Sequence, residues 1–316
     1  MRRRWSSCTA LLAALLAACG EAAPDPPAEA DGADVGVLAP GQAPTYERSF
    51  AFAGFTGDSA FLVPWLMRNI SGTDSVLREA HGWLGRRGTW DAFYAERWTT
   101  PATRAPSRVL PHGSLRILVQ EGDVIDGIIF GDGARRLELS VGAARASWGG
   151  PRGESIELME GVAYVADQRV EGTIVHMARA SAGGTPPGGD WALLVSGDSL
   201  QLVLAADTEH GSDTEPVYRG YARGGDRGER VWTNLEVAWT TIEAFPPARR
   251  DIPVAWRIAA DDGSLRGDLR VLSSDVQAGA GPGPLLPVRA LYDVEGDIAI
   301  TEGVFPVRGL LVHERR

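Results

Sequence analysis

From Ser49 onward, hydrophobic and polar residues alternate with a period of two along most of the chain. This pattern is typical of strands that bury one side and expose the other. Clear runs are Leu115–Val119, Arg136–Val141 and Thr173–Met177. Gly, Asp and Ser clusters interrupt the alternation roughly every 8–12 residues, the spacing found in β-sandwiches and β-barrels. The pattern therefore predicts a mainly β protein with an antiparallel barrel or sandwich.

The second half of the chain shows the same pattern in hairpins. Two apolar runs, 191–195 and 200–204, flank the turn sequence Ser196-Gly197-Asp198. Apolar strands joined by such a short turn predict a β-hairpin. The length allows two linked β units, and we place them at 46–190 and 191–316.

Helical signals are few. The segments 73–84 and 89–98 carry Val, Leu, Trp and Phe at spacings compatible with one helix face. Gly82, Gly85 and Gly88 interrupt them. These segments predict either short helices or a covering loop.

The N-terminus combines Arg2-Arg3-Arg4 with a short apolar run that ends Leu16-Ala17-Ala18-Cys19. The run is too short to span a bilayer. It resembles a signal peptide with the lipobox of bacterial lipoproteins, although an ordinary secretory signal is the alternative. We therefore expect cleavage after residue 18, acylation of Cys19 and a disordered tether over 19–45. The mature protein would be anchored outside the cytoplasm, in a Gram-negative host at the outer membrane or a periplasm-facing surface.

Charge and composition exclude several kinds of site. The net charge is −10, which argues against nucleic acid and anionic headgroups as electrostatic partners. The two cysteines, Cys8 and Cys19, fall in or at the end of the leader, so no disulfide is expected in the mature body. The five histidines are not at metal-ligand spacing, and no phosphate-binding loop is present. We expect neither a metal nor a cofactor.

Two short motifs match the signature of a serine hydrolase family. Gly197 to Leu200 spells the signature of GDSL-type esterases, and Asp207 to His210 spells the Asp-x-x-His of the same family. That family separates the two motifs widely, whereas here they adjoin. A second Gly-Asp-Ser ends at Ser59. Both tripeptides also suit plain turns, and a catalytic serine needs a base beside it.

Short motifs follow one another along residues 48–314. They are Phe50–Gly54, Trp90 with Glu96-Arg97, Pro111–Leu115, Gly161–Asp167, Arg179-Ala180, Ile252–Ile258 and Tyr292–Gly296. In this order they resemble the carotenoid 1,2-hydratases (hydroxyneurosporene synthases) and the AttH-like proteins. The resemblance implies a two-part lipocalin-like β fold, with the second unit a lipocalin-like domain.

The same resemblance implies a reaction, the hydration of an isolated alkene in an isoprenoid. Asp167 would be the buried acid that protonates the alkene, with Tyr164 beside it. Asp167 is equally suited to a turn. The family's tryptophans before Arg179-Ala180 are replaced here by Val175–Ala178, which lacks aromatic faces for a carbocation. The fold can therefore be shared without the reaction.

Three functional hypotheses follow. The first is a membrane-anchored protein that binds a hydrophobic, isoprenoid- or lipid-like ligand, with Trp191, His176 and Trp256 as contacts. Core packing is the alternative role for each tryptophan. The second is a hydratase-type lyase that uses Asp167 and Tyr164. The third is a serine esterase that uses Ser199 or Ser59.

Overall fold

The structure is a computed structural model, and it describes residues 44–315 except 58, 121–123, 134, 151–152, 166–167, 182–188, 208–215 and 225–227. Within these residues the regular elements are strands and a 3₁₀ turn at Pro246–Ala248. The strands are β1 Thr45–Thr56, β2 Ser59–Ser71, β3 Ser75–Arg86, β4 Thr89–Pro101, β5 Leu115–Val119, β6 Ile125–Asp132, β7 Arg135–Gly149, β8 Ser155–Val165, β9 Gln168–Ser181, β10 Trp191–Ser196, β11 Leu200–Asp207, β12 Val217–Gly224, β13 Gly228–Phe245, β14 Arg250–Ala260, β15 Leu265–Ala278, β16 Val288–Ile300 and β17 Gly303–Arg315. No helix among the described residues is long and apolar enough to cross a membrane.

The strands form two antiparallel assemblies. The first nine make one sheet in the order β4-β3-β2-β1-β9-β8-β7-β6-β5. The last eight make a closed barrel, because β10 pairs with both β11 and β17. Eight antiparallel strands closed on themselves are the number found in lipocalin barrels. The predicted mainly β, lipocalin-like architecture is confirmed.

The prediction of short helices or a loop at 73–84 and 89–98 is wrong, because these residues form β3 and β4. The glycines there make room for tryptophan rings that lie across the strands. A Cβ on Gly82 would come within 2.9 Å of the Trp65 ring, and one on Gly85 within 2.9 Å of the Trp90 ring. Glycine in a strand often marks such a close approach, so these glycines serve the sheet.

The nine-stranded sheet curls around its own apolar core. Phe93 of β4, at one edge, lies 4.9 Å from Phe130 of β6, near the other edge, between ring centroids. The connection 102–114 crosses between the two edges. Asn69 Nδ2 donates to the carbonyl of Pro106 at 3.0 Å, and the Tyr94 hydroxyl donates to that of His112 at 2.9 Å. The concave face is therefore packed and covered.

The convex face of the sheet packs against the barrel. Alternate residues of β1 and β9, such as Ala51 and Val175, share an apolar layer with Leu193 and Leu310 of the barrel. Strand β1 runs antiparallel to β17 across this layer. At one end of the layer, Arg68 of β2 contacts both Glu47 of β1 and Glu314 of β17. At the other end, the Arg308 guanidinium lies 6.0 Å from the Phe55 ring centroid.

The closure of the barrel depends on a glycine. A Cβ on Gly309 would lie 1.9 Å from the carbonyl oxygen of Leu193, where β10 pairs with β17. We expect Gly309→Ala to lower the free energy of unfolding by about 1–3 kcal/mol, because backbone atoms cannot move aside as a flexible side chain can. Gly131→Ala, where a Cβ meets open space, is the control. Equal midpoints in urea for both variants would contradict this prediction.

Buried charges join the sheet to the barrel. Glu47 is 2% exposed and accepts hydrogen bonds from Arg68 at 2.9 Å and Arg179 at 3.1 Å. Arg289 Nε donates to Glu314 Oε1 at 2.8 Å, and Arg68 reaches Glu314 at 4.0 Å. The start of β1 is thereby held beside the end of β17.

His81 lies next to this junction and makes the stability depend on pH. Burial, together with the Arg289 guanidinium, lowers the pKa of His81 to about 4. The unfolded chain takes up this proton near pH 6.5 and the folded chain does so only near 4, so stability is lost as the pH falls between these values. The loss reaches at most about 3 kcal/mol. His81→Phe keeps an aromatic ring that can stack on Trp83. In this variant the urea midpoint of unfolding should fall less between pH 7 and pH 4 than in the unchanged protein. An equal fall in both proteins would assign the pH dependence to another group.

Candidate functional site

At one end of the barrel strands β14 and β15 stop pairing. The β15–β16 connection bridges them there, because Arg250 Nε donates to the Leu286 carbonyl at 2.6 Å and the Leu286 N–H donates to the Ala248 carbonyl at 3.1 Å. Strand β14 pairs with β15 only between Ala255–Arg270 and Ala259–Arg266. Beyond this point β14 continues along β13 to Arg250, and β15 continues along β16 to Ala278. The two hairpins therefore separate toward this end. We call this gap in the pairing between 250–254 and 271–278, which Ile252, Val276 and Leu286 partly fill, the barrel cleft.

A histidine, an aspartate and a tyrosine meet at this end. His313 Nδ1 lies 2.9 Å from both carboxylate oxygens of Asp190. The Tyr218 hydroxyl donates to Asp190 Oδ2 at 3.1 Å, and the backbone N–H of Glu314 donates to Oδ1 at 3.1 Å. All three side chains are buried. The pairing of β10 with β17 brings Asp190 beside His313, because the start of one strand meets the end of the other, and Tyr218 comes from the start of β12.

Two buried polar atoms at this site have no hydrogen-bond partner within the described part of the chain, His313 Nε2 and the Tyr292 hydroxyl. Since Asp190 holds the proton on Nδ1, Nε2 of a neutral ring presents a lone pair. Tyr292 and His313 are diagonal neighbours on the inner face of β16 and β17. The Cα atoms of such neighbours are roughly 7 to 8 Å apart. Burial, reinforced by the charge of Asp190, raises the pKa of Tyr292. The hydroxyl therefore keeps its proton.

Aromatic and aliphatic side chains form the rim of the cleft. Trp239 is 37% exposed, and its ring meets the His313 ring edge-on at 5.5 Å. Ile242, on the same strand, is 52% exposed. The cavity behind the rim has a volume of about 10 Å³ and borders Asp190, Tyr218 and Trp256. Such a volume holds about one water molecule.

This arrangement suits acid–base chemistry on an apolar molecule. An imidazole oriented by a carboxylate is a general base at neutral pH, and a nearby neutral phenol can donate a proton. The described residues contain no group of three His, Cys, Asp or Glu side chains that could hold a metal ion.

The ligand-contact residues predicted from the sequence divide between two places. Trp256 and Trp191 both border the cavity beside Asp190. Trp256 meets Tyr292 edge-on at 5.4 Å, whereas Trp191 packs into the layer between barrel and sheet. His176 lies elsewhere, in the nine-stranded sheet. Trp256 therefore lies in the barrel core, Trp191 lies in the layer outside it, and His176 is apart from both.

His176 forms a second carboxylate–imidazole pair. Its ring stacks on Phe50 at 4.2 Å, and Nδ1 lies 2.8 Å from Glu157 Oε2. Burial lowers the pKa of His176, outweighing the opposite effect of Glu157. Its Nε2 also has no partner within the described ranges. The two carboxylate–imidazole pairs can be separated experimentally, because each histidine can be replaced on its own.

Of the two residues predicted for catalysis, the structure describes only Tyr164. Tyr164 is 39% exposed at the end of β8 and interacts with Arg169 across the hairpin. The structure thus places Tyr164 at the surface. Asp167 lies outside the described residues, as does the lipidation site Cys19.

The serines of the esterase hypothesis begin strands or occupy turns. Ser199 is exposed in the β10–β11 turn, where its N–H bonds to the carbonyl of Ser196 at 3.0 Å and Gly197 has a φ of 52°. Ser59 begins β2. His210 lies outside the described residues, so the pairing of Ser199 with His210 stays a prediction.

Sequence reasoning missed the central pair. Asp190 and His313 are 123 residues apart, and neither belongs to a recognisable motif. The available signal was positional: an aspartate directly before a buried strand, and a histidine near the end of the last strand. Only the pairing of the first and last barrel strands makes these positions adjacent.

No protein-family model and no curated protein matches the sequence. Solved structures do match. An AttH-like protein from Nitrosomonas europaea is 10% identical, covering 85% of this chain and 91% of that chain, with a TM-score of 0.57. The kievitone hydratase of Nectria haematococca is 12% identical, covering 85% and 87%, with a TM-score of 0.50. The predicted resemblance is therefore confirmed at the level of the fold, which this chain shares with an AttH-like protein and a hydratase.

Proposed function

We propose that the protein is a hydratase-type carbon–oxygen lyase whose acid–base centre is His313 and Asp190. The observation that carries the proposal is the buried, unpartnered Nε2 of His313, opposite a carboxylate that fixes the proton on Nδ1. The shared fold with kievitone hydratase is compatible with this reaction class.

The geometry favours an activated alkene over the isolated alkene implied by the sequence resemblance. Protonating an isolated alkene requires a carboxylic acid with a proton to give. Asp190 instead accepts hydrogen bonds from Tyr218, His313 and a backbone N–H. An alkene conjugated to a carbonyl group needs only a base for the water and a weak acid for the carbon.

The proposed reaction conserves its protons. His313 Nε2 removes a proton from water as the water oxygen bonds to the β carbon, and the π electrons move to the carbonyl as an enolate. The α carbon then takes the proton of the Tyr292 hydroxyl. The imidazolium, stabilised by Asp190, returns its proton to the phenolate. Dehydration follows the same steps in reverse.

Labelled water tests this proposal. The full-length protein is incubated in water carrying heavy oxygen with α,β-unsaturated ketones bearing isoprenoid or acyl chains. Mass spectrometry should find the heavy oxygen in a hydrated product, with the label bound at the β carbon. Asp190→Asn, which cannot stabilise the imidazolium, should form far less product. Binding of every ketone without any labelled product would reject the lyase and favour a carrier of apolar ligands.

A further inference from the structure

Most of the exposed large apolar side chains of the barrel lie at the end that holds the cleft. They are Val217, Trp239, Ile242, Leu272 and Leu285, whereas Val231 and Val304 are exposed at the opposite end. Val217 begins β12, Ile242 lies near the end of β13 and Leu285 lies in the β15–β16 connection, so these three belong to the strand ends or connections around the cleft. Isolated surface apolar residues are ordinary, but a cluster around an opening marks an interaction site.

The rim carries a tryptophan paired with an arginine. The Arg315 guanidinium lies 5.2 Å from the Trp239 ring centroid. Tryptophan and arginine are both favoured at the boundary between lipid headgroups and acyl chains, where one part of the side chain is apolar and the other polar.

The described chain begins at the same end of the molecule. The carbonyl of Pro44 accepts a hydrogen bond from Ser71 N–H at 2.9 Å. Three residues later, Glu47 shares Arg68 with Glu314, the residue after His313. Phe55, farther along β1, lies instead beside Arg308, deeper along the barrel. The polypeptide therefore enters the body beside the cleft.

We infer that the rim of the barrel cleft docks on the surface of a lipid bilayer. The inference deepens the proposed function, because an apolar substrate could then pass from bilayer to cleft. It also uses the predicted acylation of Cys19. Only 24 residues separate Cys19 from Pro44, which ties this end of the body to the predicted anchor. Because the net charge is −10, apolar contact and not headgroup attraction provides the docking energy.

Depth-dependent quenching tests the orientation. The full-length lipoprotein is reconstituted in phosphatidylcholine vesicles that contain spin-labelled lipid. An environment-sensitive fluorophore is placed on Ile242→Cys or Leu285→Cys. Val304→Cys is the control, because Val304 is 67% exposed at the start of β17, at the opposite end of the barrel. These surface positions pack little, so the variants should fold.

We expect emission at 242 and 285 to shift to the blue and fall at least twofold on quenching, with no change at 304. Equal quenching at all three positions, or quenching only at 304, overturns the inference. So does mass spectrometry showing Cys19 without acyl chains. Quenching does not depend on turnover. Docking without labelled product would therefore reject only the lyase, and labelled product without docking would reject only this orientation.

Discussion

Replacing Glu47 with alanine is expected to lower the free energy of unfolding by about 3–5 kcal/mol. The carboxylate is buried between Arg68 and Arg179, whose side chains are 13% and 11% exposed. Removing it leaves two guanidinium groups without their main partner, in a layer where water cannot replace it. Arg68 would still have Glu314, at 4.0 Å. The loss should therefore fall within the range for one broken buried pair.

Urea unfolding of the full chain, followed by tryptophan fluorescence, measures this effect. Glu295→Ala is the matched control, because Glu295 pairs with an Arg270 side chain that is 73% exposed. Exposed pairs contribute at most about 1 kcal/mol. If both variants lose the same stability, the buried charges around Glu47 contribute no more than an exposed pair.

The second large effect concerns turnover. His313→Gln should lower kcat by about 10²- to 10⁴-fold, since glutamine can hydrogen-bond to Asp190 but cannot take a proton from water. The labelled-water reaction supplies the rate. His176→Gln removes the other carboxylate-paired imidazole and should leave the rate unchanged.

The reverse pattern, a slow His176→Gln and an active His313→Gln, would move the reaction from the barrel to the nine-stranded sheet. Equal activity in both variants would exclude either histidine as the base. Circular dichroism on each variant separates a lost base from a lost fold.

The architecture could be predicted because period-two alternation is local. Runs such as Leu115–Val119 show which side of a strand is buried without reference to any partner. The order of the short motifs made the lipocalin-like fold predictable as well. It did so although the chain is only 10–12% identical to the solved structures that share the fold. Strands β3 and β4 were misread because a glycine beneath a tryptophan ring and a glycine that breaks a helix look the same in the sequence.

The candidate site was less predictable. Asp190 and His313 meet only because the first barrel strand pairs with the last, and strand register across such a separation leaves no local mark. Trp256 could be chosen from composition, since a tryptophan among alternating strand residues points to a core or a ligand cavity. The acid predicted from the resemblance, Asp167, stays a prediction, and its neighbour Tyr164 is at the surface.

The most direct test of the barrel cleft is a magnetic resonance spectrum of isotope-labelled histidine side chains. The chain has only five histidines, and single His→Gln variants assign their signals. Spectra are recorded before and after adding a long-chain α,β-unsaturated ketone to the full-length protein. We predict that the ring nitrogen signals of His313 move and those of His176 stay. Movement of His176 with an unchanged His313 would contradict the assignment of the site to the barrel.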